Sequence, residues 1–544
     1  MLNSDAKSLK ERGDRLFSAK RSLDSRNQDI AEHFYPERAD FTVVRDVGDD
    51  FAGHLMTSYP TMVRRDLGNS LGAMLRPKGQ NWFETRADRE ERETHDAKIW
   101  LEFVTGVQRR AMYDPKAMLS RATKEADHDF ATFGGACISV EVNRRDMTLL
   151  YRDWHLRDVA WAEDAFGQIS EVHRNWKPTA AELCAMFPGK VHPKVTEKKE
   201  KTPHEKVHVR HVVIRADDYT GQGSNGFVQP WVSMYLDCEN EDVIEEVGVW
   251  TRQYVIPRWA TVSGSQYPYS PATVCALPDA RLIQAMTLTL LDAGERAANP
   301  PMIGVSEAIR GDLNIYAGGF TSIDAEYDER LGEVLRPLMQ DKSGIPFGMD
   351  MSDRVAAQIR EAFYLNKLSM PPQGGPEMTA YEVGQRVQEY IRQALPLFEP
   401  IEEDYNAALC DMTFETLMRW GAFGPASSIP DSLRAADVKF SFESPLSQAA
   451  DRQKGQKFME TKALIAEATA IDPASPMVMD FGVALRDVLG GIGTPEKWLR
   501  SEDAVNGLMQ QEKAKQEAAQ LLAGMQQGAD VASTLGTAAQ AFAP

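Results

Sequence analysis

Five residues, His204-Glu205-Lys206-Val207-His208, carry the H-E-x-x-H spacing. On a helix that spacing sets residues i and i+4 on one face, where two imidazoles hold a zinc ion and the glutamate serves as general base for hydrolysis. The flanking residues argue for a strand instead: Pro203 precedes the motif, and Val207, Val209 and Val213 alternate through and beyond it. On a strand the two histidines stand roughly 13 Å apart at about 3.3 Å per residue, yet each would have to reach a shared ion at about 2.0–2.1 Å. A zinc-dependent hydrolase built on His204, Glu205 and His208 is therefore carried as the alternative reading. Gly221-Gln222-Gly223-Ser224-Asn225-Gly226 matches the dinucleotide fingerprint G-x-G-x-x-G, but strand-like residues from Phe227 to Tyr235 follow it. No helix N-terminus is then available to receive a pyrophosphate, and a hairpin tip is expected. The acidic run Glu239, Glu241, Asp242, Glu245 and Glu246 lacks EF-hand spacing and reads as a solvated hairpin face. Neither a P-loop nor a G-x-S-x-G elbow occurs. The chain does not read as an enzyme: no catalytic, cofactor-binding or metal-ligating residue is assigned, and no cofactor is expected.

The elements that hold these residues belong to a long, ordinary globular composition. The 544 residues, 43% hydrophobic and 26% charged, suit three or four domains or one large subunit. With 61 Lys+Arg against 80 Asp+Glu, the formal charge of −19 opposes tight, general DNA binding. Net charge leaves room for a local basic patch. The five cysteines are widely spaced with no C-x-x-C, so a reducing compartment is expected. The first twenty residues lack an apolar signal core and no run of 18 apolar residues follows, so cytoplasmic synthesis is expected and membrane spanning is not.

Helical and extended patterns alternate in blocks. Leu9, Leu16, Leu23 and Ile30 repeat every seven residues and predict one amphipathic helix over 5–35. Gly13, Lys20 and Asn27 would be poor coiled-coil seam residues, so the helix should pack on its own subunit. Further helices are expected over 57–75 and 96–112, followed by a β-rich module between about 130 and 275. After Leu277-Pro278-Asp279 the helical period returns and Asn299-Pro300-Pro301 stops it; a second helix resumes near Ser352. Thr379 and Glu382 have capping-box spacing at the head of an apolar stripe reaching Trp420, with Pro396 and Pro400 predicting a kink. The last hundred residues read helical, Thr494-Pro495 reads as an N-cap with an N1 proline, and an Ala/Gln-rich tail begins at Gly507.

Several strings, in order, resemble the head-to-tail connector, or portal, proteins of short-tailed bacteriophages, and the resemblance spans nearly the whole chain. They are Ser70-Leu71-Gly72-Ala73-Met74-Leu75-Arg76-Pro77 with Asn81-Trp82-Phe83, and Asp129-Phe130-Ala131-Thr132-Phe133-Gly134-Gly135-Ala136. Tyr269-Ser270-Pro271-Ala272 through Ala276-Leu277-Pro278-Asp279, Asn299-Pro300-Pro301 and Met378-Thr379-Ala380-Tyr381-Glu382-Val383 follow. Tyr381 departs from the smaller residue usual in the family. The resemblance implies an α+β portal fold assembled as a ring of twelve around a channel. It divides the chain into N-terminal helices and a β-rich wing (1–277), a first stem helix (278–298), a clip (299–351), a second stem helix (352–366) and a channel loop (367–376). A long kinked helix returning to the wing (377–445) and a helical crown with the tail (446–544) complete it. It implies a structural conduit at one capsid vertex of the virion, assembled in host cytoplasm. DNA would be packaged through it by a separate terminase ATPase and later ejected. Its implied partners are its own copies, capsid and scaffolding proteins, the terminase large subunit, tail adaptor or nozzle proteins, internal core or ejection proteins, and weakly held double-stranded DNA, with no membrane. Lys367, Ser369, Met370 and Gln373 are the candidate channel-loop residues, and Thr379 and Glu382 the structural helix cap. An acidic conduit fits this role, because every neutralised phosphate adds salt-dependent affinity that would hold the cargo.

Overall fold

In the computed structural model the N-terminal amphipathic segment is two helices, α1 (Ala6–Ala19) and α2 (Arg21–Phe34), broken at Lys20. The break has a specific cause. Lys20 is 3% exposed, and its ammonium donates to the carbonyls of Leu156 (2.6 Å), Arg157 (3.0 Å) and Val159 (2.9 Å) while pairing with Asp24 at 3.5 Å. A buried ammonium persists only when its donors are met in this way. Gly13, the preceding weak seam position, is a contact point: a Cβ there would lie 2.7 Å from His173 Nδ1.

The structure describes residues 6–46, 48–77, 81–143, 145–219, 228–298, 302–304, 335–337, 344–368, 401–434, 437–442, 445–469, 478–491, 494–501 and 504–516. They fall into two compact units. The larger contains Met1–Trp82, Gln108–Ala422 and Ser444–Leu446, and the smaller Phe83–Val107, Phe423–Glu443 and Ser447–Pro544.

The larger unit is mixed helix and sheet, as the α+β reading expected. Strands β4 (Val159–Glu163), β5 (Ile169–Trp176), β6 (Val209–Arg215), β7 (Trp231–Asp237) and β8 (Asp242–Val249) form an antiparallel sheet in chain order. Period-two alternation sends Val212, Ile214, Met234 and Leu236 toward Leu9 of α1. Val209 and Tyr235 face the other way, onto α6 (Ala180–Met186) and α7 (Pro193–Lys201), through Leu183, Phe187 and Val195. A second sheet orders β3 (Thr148–Asp153), β2 (Ile138–Asn143) and β9 (Tyr254–Val255). Helices α3 (Tyr59–Leu75) and α5 (Leu119–Phe133) pack beside α2; a Cβ at Gly72 of α3 would come within 2.8 Å of Asp127 Oδ2 on α5.

Helix α8 runs Pro271–Ala298, seven residues ahead of the expected start, and carries Pro278 inside it. The true start is the Ser270-Pro271 pair: the Ser270 hydroxyl accepts from Thr273 N (3.4 Å) and proline occupies the first helical position, where its missing N–H costs nothing. Its end at Ala298, before Asn299-Pro300-Pro301, is as expected. The next helix, α9, spans Gly344–Ala362 and so begins earlier than Ser352; a short turn, α10 (Leu365–Leu368), follows. Between them Met302–Gly304 pairs antiparallel with Leu335–Pro337. The expected end of the long helix is also present: a wide π-type turn over Glu402–Ala407 passes into a helix at Ala408–Arg419 that stops at Trp420. Pro396 and Pro400 lie outside the described residues.

In the smaller unit Phe83–Ala87 pairs antiparallel with Val438–Phe442. The expected C-terminal helices include Phe481–Gly491 and residues 504–516. Thr494-Pro495, read as a helix start, leads only into a single tight turn at Glu496–Trp498.

Candidate functional site

The H-E-x-x-H segment holds no metal geometry. His204 sits in a turn, Lys206 bridges Thr179, and the strand begins only at Val209. Glu205 is engaged by Lys198 at 2.9 Å and by the Thr202 hydroxyl at 2.8 Å, which hold its carboxyl below the usual range. His208 Nε2 lies 3.3 Å from Asn175 Oδ1. With no helix under it the spacing cannot converge on one ion, so the hydrolase reading fails. Among the described residues no group of three or more His, Cys, Asp or Glu is placed to hold a metal. Gly221 to Gly226 lie outside the described residues, and the strand expected beyond them is β7. The acidic run lies at the β7–β8 hairpin with Glu239, Glu241 and Asp242 exposed, as expected, while Glu245 is buried; Glu239 meets Lys198 (2.9 Å), Glu241 meets Lys10 (3.0 Å) and Glu245 meets Lys190 (3.0 Å).

A polar junction inside the larger unit gives several of the noted strings a role. Arg76 pairs with Asp127, donates to Asn406 Oδ1 at 2.7 Å and lies over the Tyr405 ring at 4.6 Å. Arg38 donates to Asp129 through Nε (3.0 Å) and Nη2 (2.6 Å), and Nη2 also reaches Asp153 at 2.7 Å. Burial and the neighbouring Asp129 charge push the Asp153 carboxyl well up. Gly134 ends α5 in the left-handed region (φ +78), where a side chain would strike the Tyr269 backbone. The carbonyls of Ala131 and Thr132 accept from the Ser270 and Thr273 hydroxyls, both at 2.8 Å, fixing α8 to α5. This network positions a helix. Arg38, Asp153, Tyr405 and Asn406 were not singled out in the sequence, because their partners lie 91 to 330 positions away and no local pattern marks them.

What the junction positions is a helical pair. Gln284 of α8 accepts from Met56 N (2.7 Å) and Thr57 N (2.9 Å) and donates to Thr57 O (2.8 Å), while Tyr59 OH donates to Ala356 O of α9 at 3.0 Å. At Gly348 a Cβ would lie 2.7 Å from Leu290 Cδ2, so α8 and α9 are in contact there. Large apolar side chains stand exposed on both: Leu288 is 46% and Leu291 58% exposed on α8, and Phe347 67% and Met349 58% on α9. By length and composition alone α8 could cross a membrane. Its first half is instead built into the protein through buried Ala272, Thr273, Ala276, Ala280 and Ile283.

Lys367 lies on α10 at the end of this pair. Ser369, Met370, Gln373, Thr379 and Glu382 lie outside the described residues.

Comparison with known proteins adds to this geometry. A family model described as bacteriophage head to tail connecting protein matches residues 6–499. The probable portal protein of Bordetella phage BPP-1 is 24% identical over 550 residues, covering 98% of this chain and 96% of that protein. The portal protein of Salmonella phage epsilon15 is 20% identical over 539 residues, covering 96% and 93%. Among solved structures, a chain in the virion of a native gene transfer agent particle aligns at a TM-score of 0.36 and 10% identity over 75% of this chain and 86% of that one, too low a likeness to bear on the fold.

Proposed function

Because the chain belongs to the bacteriophage head-to-tail connecting protein family, we propose that it works as the portal of its particle, a homo-dodecameric ring at one capsid vertex through which DNA is packaged and ejected. The observation that carries this reading is the pair α8 and α9. Leu288, Leu291, Phe347 and Met349 are large apolar side chains left exposed on it, and in a closed ring the neighbouring copy would supply their cover. In this reading α8 and α9 are the two stem helices, with limits at 271–298 and 344–362 in place of those expected from sequence. The clip is 299–343, the β-rich module with the N-terminal helices is the wing, the channel loop begins at Lys367 near the end of α10, and residues after 446 form the crown. Capsid and scaffolding proteins, internal core or ejection proteins, the terminase large subunit and tail adaptors are the partners such a ring would meet, in the virion and, during assembly, in host cytoplasm. DNA would pass with weak, non-specific contact along an acidic wall, and Lys367 with Ser369, Met370 and Gln373 would form the channel loop.

The paired substitution Leu288→Asp with Leu291→Asp tests the interface. Both side chains are exposed, so the far-ultraviolet spectrum and melting temperature of the subunit should hold while rings seen in negative stain disappear. Rings forming at the wild-type yield would contradict the assignment of this face.

A further inference from the structure

Residues 177–206 contain seven lysines, no arginine and four glutamates, a formal +3 inside a chain of −19, which leaves −22 on the rest. They fold as one platform. Val207 N donates to Pro178 O and Ala180 N to Glu205 O, both at 2.9 Å, so the chain returning from α7 lies beside the start of α6. Beneath them Leu183, Phe187, Val195 and Val207 are buried against Tyr235 and Ile244 of the five-stranded sheet.

Three of the lysines are neutralised in place: Lys190 by Glu245 (3.0 Å), Lys198 by Glu205 and Glu239 (both 2.9 Å) and Lys201 by Glu197 (2.6 Å). Lys177, Lys194, Lys199 and Lys206 are exposed and make no ion pair among the described residues. Of the four glutamates only Glu200 and the α6 cap residue Glu182 are without a lysine among the described residues. Counted with Glu239 and Glu245, which pair with two of its lysines, the platform carries +1, and its surface excess is four unpaired lysines against Glu182 and Glu200.

We propose that this platform docks on an acidic face of a neighbouring copy of the same chain. The proposal rests on the ring assembly argued above and names a second contact for it, away from the stem pair. Copies that each carry −19 repel one another. A head-to-tail ring interface brings two different patches together, so a basic platform can face acidic surface at every junction. The composition also selects protein over nucleic acid. Bidentate phosphate recognition favours the planar arginine fork, and the platform offers only lysine point charges. Its glutamates interleave with the lysines, a mixed pattern suited to a mixed protein surface and poorly suited to a uniform phosphate line.

The test compares wild type with Lys194→Glu/Lys199→Glu/Lys206→Glu and with the corresponding triple glutamine variant. Each is measured for assembled fraction by native mass at about 0.1 M and about 0.5 M salt, where the screening length falls from roughly 10 Å to under about 5 Å. The melting temperature of the unassembled subunit checks folding. The expected result is a graded loss at low salt, wild type above glutamine above glutamate, with at least a tenfold drop for the glutamate variant and unchanged subunit melting. Equal assembly of all three at both salts overturns the proposal. So does normal assembly of the glutamate variant accompanied by lost retention on a DNA duplex, which would reassign the platform to nucleic acid. If wild type forms no rings at all, the ring reading fails and this inference falls with it.

Discussion

His128 shows how a single side chain can tie helix packing to pH. Its Nδ1 accepts from Arg64 Nη1 at 3.1 Å, and burial, Arg64 and Lys124 together lower its pKa to about 4. The unfolded chain takes up this proton near pH 6.5. The contribution of neutral His128 is thus complete above about pH 6.5 and is lost as pH falls toward 4, where a protonated ring would face the Arg64 guanidinium. Asp40, held to about 2 by His155 and Arg157 against its own burial, titrates below that window. Replacing His128 with Gln is expected to flatten the dependence of urea midpoint on pH between 6.5 and 4, and an unchanged slope would assign it elsewhere. At the same scale, Lys367→Glu is expected to shorten the packaged genome if this lysine meets DNA; full-length packaging would remove it from the channel. Sequence reading offered Lys367 as a channel candidate and missed His128, Arg38 and the cage around Lys20. A lysine at a heptad position looks like a defect until the three carbonyls that cage it, some 136 to 139 residues away, are known.

At the scale of elements, periodicity located the helical N-terminal segment, β2, β6 and the end of the long helix near Trp420, and Asn299-Pro300-Pro301 marked the end of α8. Periodicity failed where a local signal was ambiguous. The helical period resumes clearly only after Leu277-Pro278-Asp279, yet the better start signal is the hydroxyl and proline of Ser270-Pro271, seven residues upstream of Pro278. Ser270 also ties the helix to the core, since its hydroxyl donates to the buried Ala131 carbonyl. Ser270→Ala removes the cap and leaves that carbonyl unpartnered, for an expected loss of about 2 kcal/mol in denaturant unfolding. A loss within experimental error would mean that the start of α8 is held by Thr273 alone. The split of α1 from α2 was illegible for a different reason: the heptad of leucines continues through it, and only the tertiary cage of Lys20 breaks the backbone.

For the whole molecule, function was legible through the order of short strings, each weak alone, and through what the chain lacks the pattern for. The structure explains some of these strings. Arg76, Asp129, Gly134 and Ser270 each hold the junction from which the exposed pair α8 and α9 extends. In the proposed ring, burial between copies of the apolar side chains exposed on this helix pair must outweigh the repulsion of like charges. The most direct test is the native mass of the purified chain at neutral pH and moderate salt. A 60.7 kDa subunit is predicted to give particles near twelve times that mass, each with a central hole in negative stain. A folded species that stays monomeric or dimeric at tens of micromolar would contradict the account.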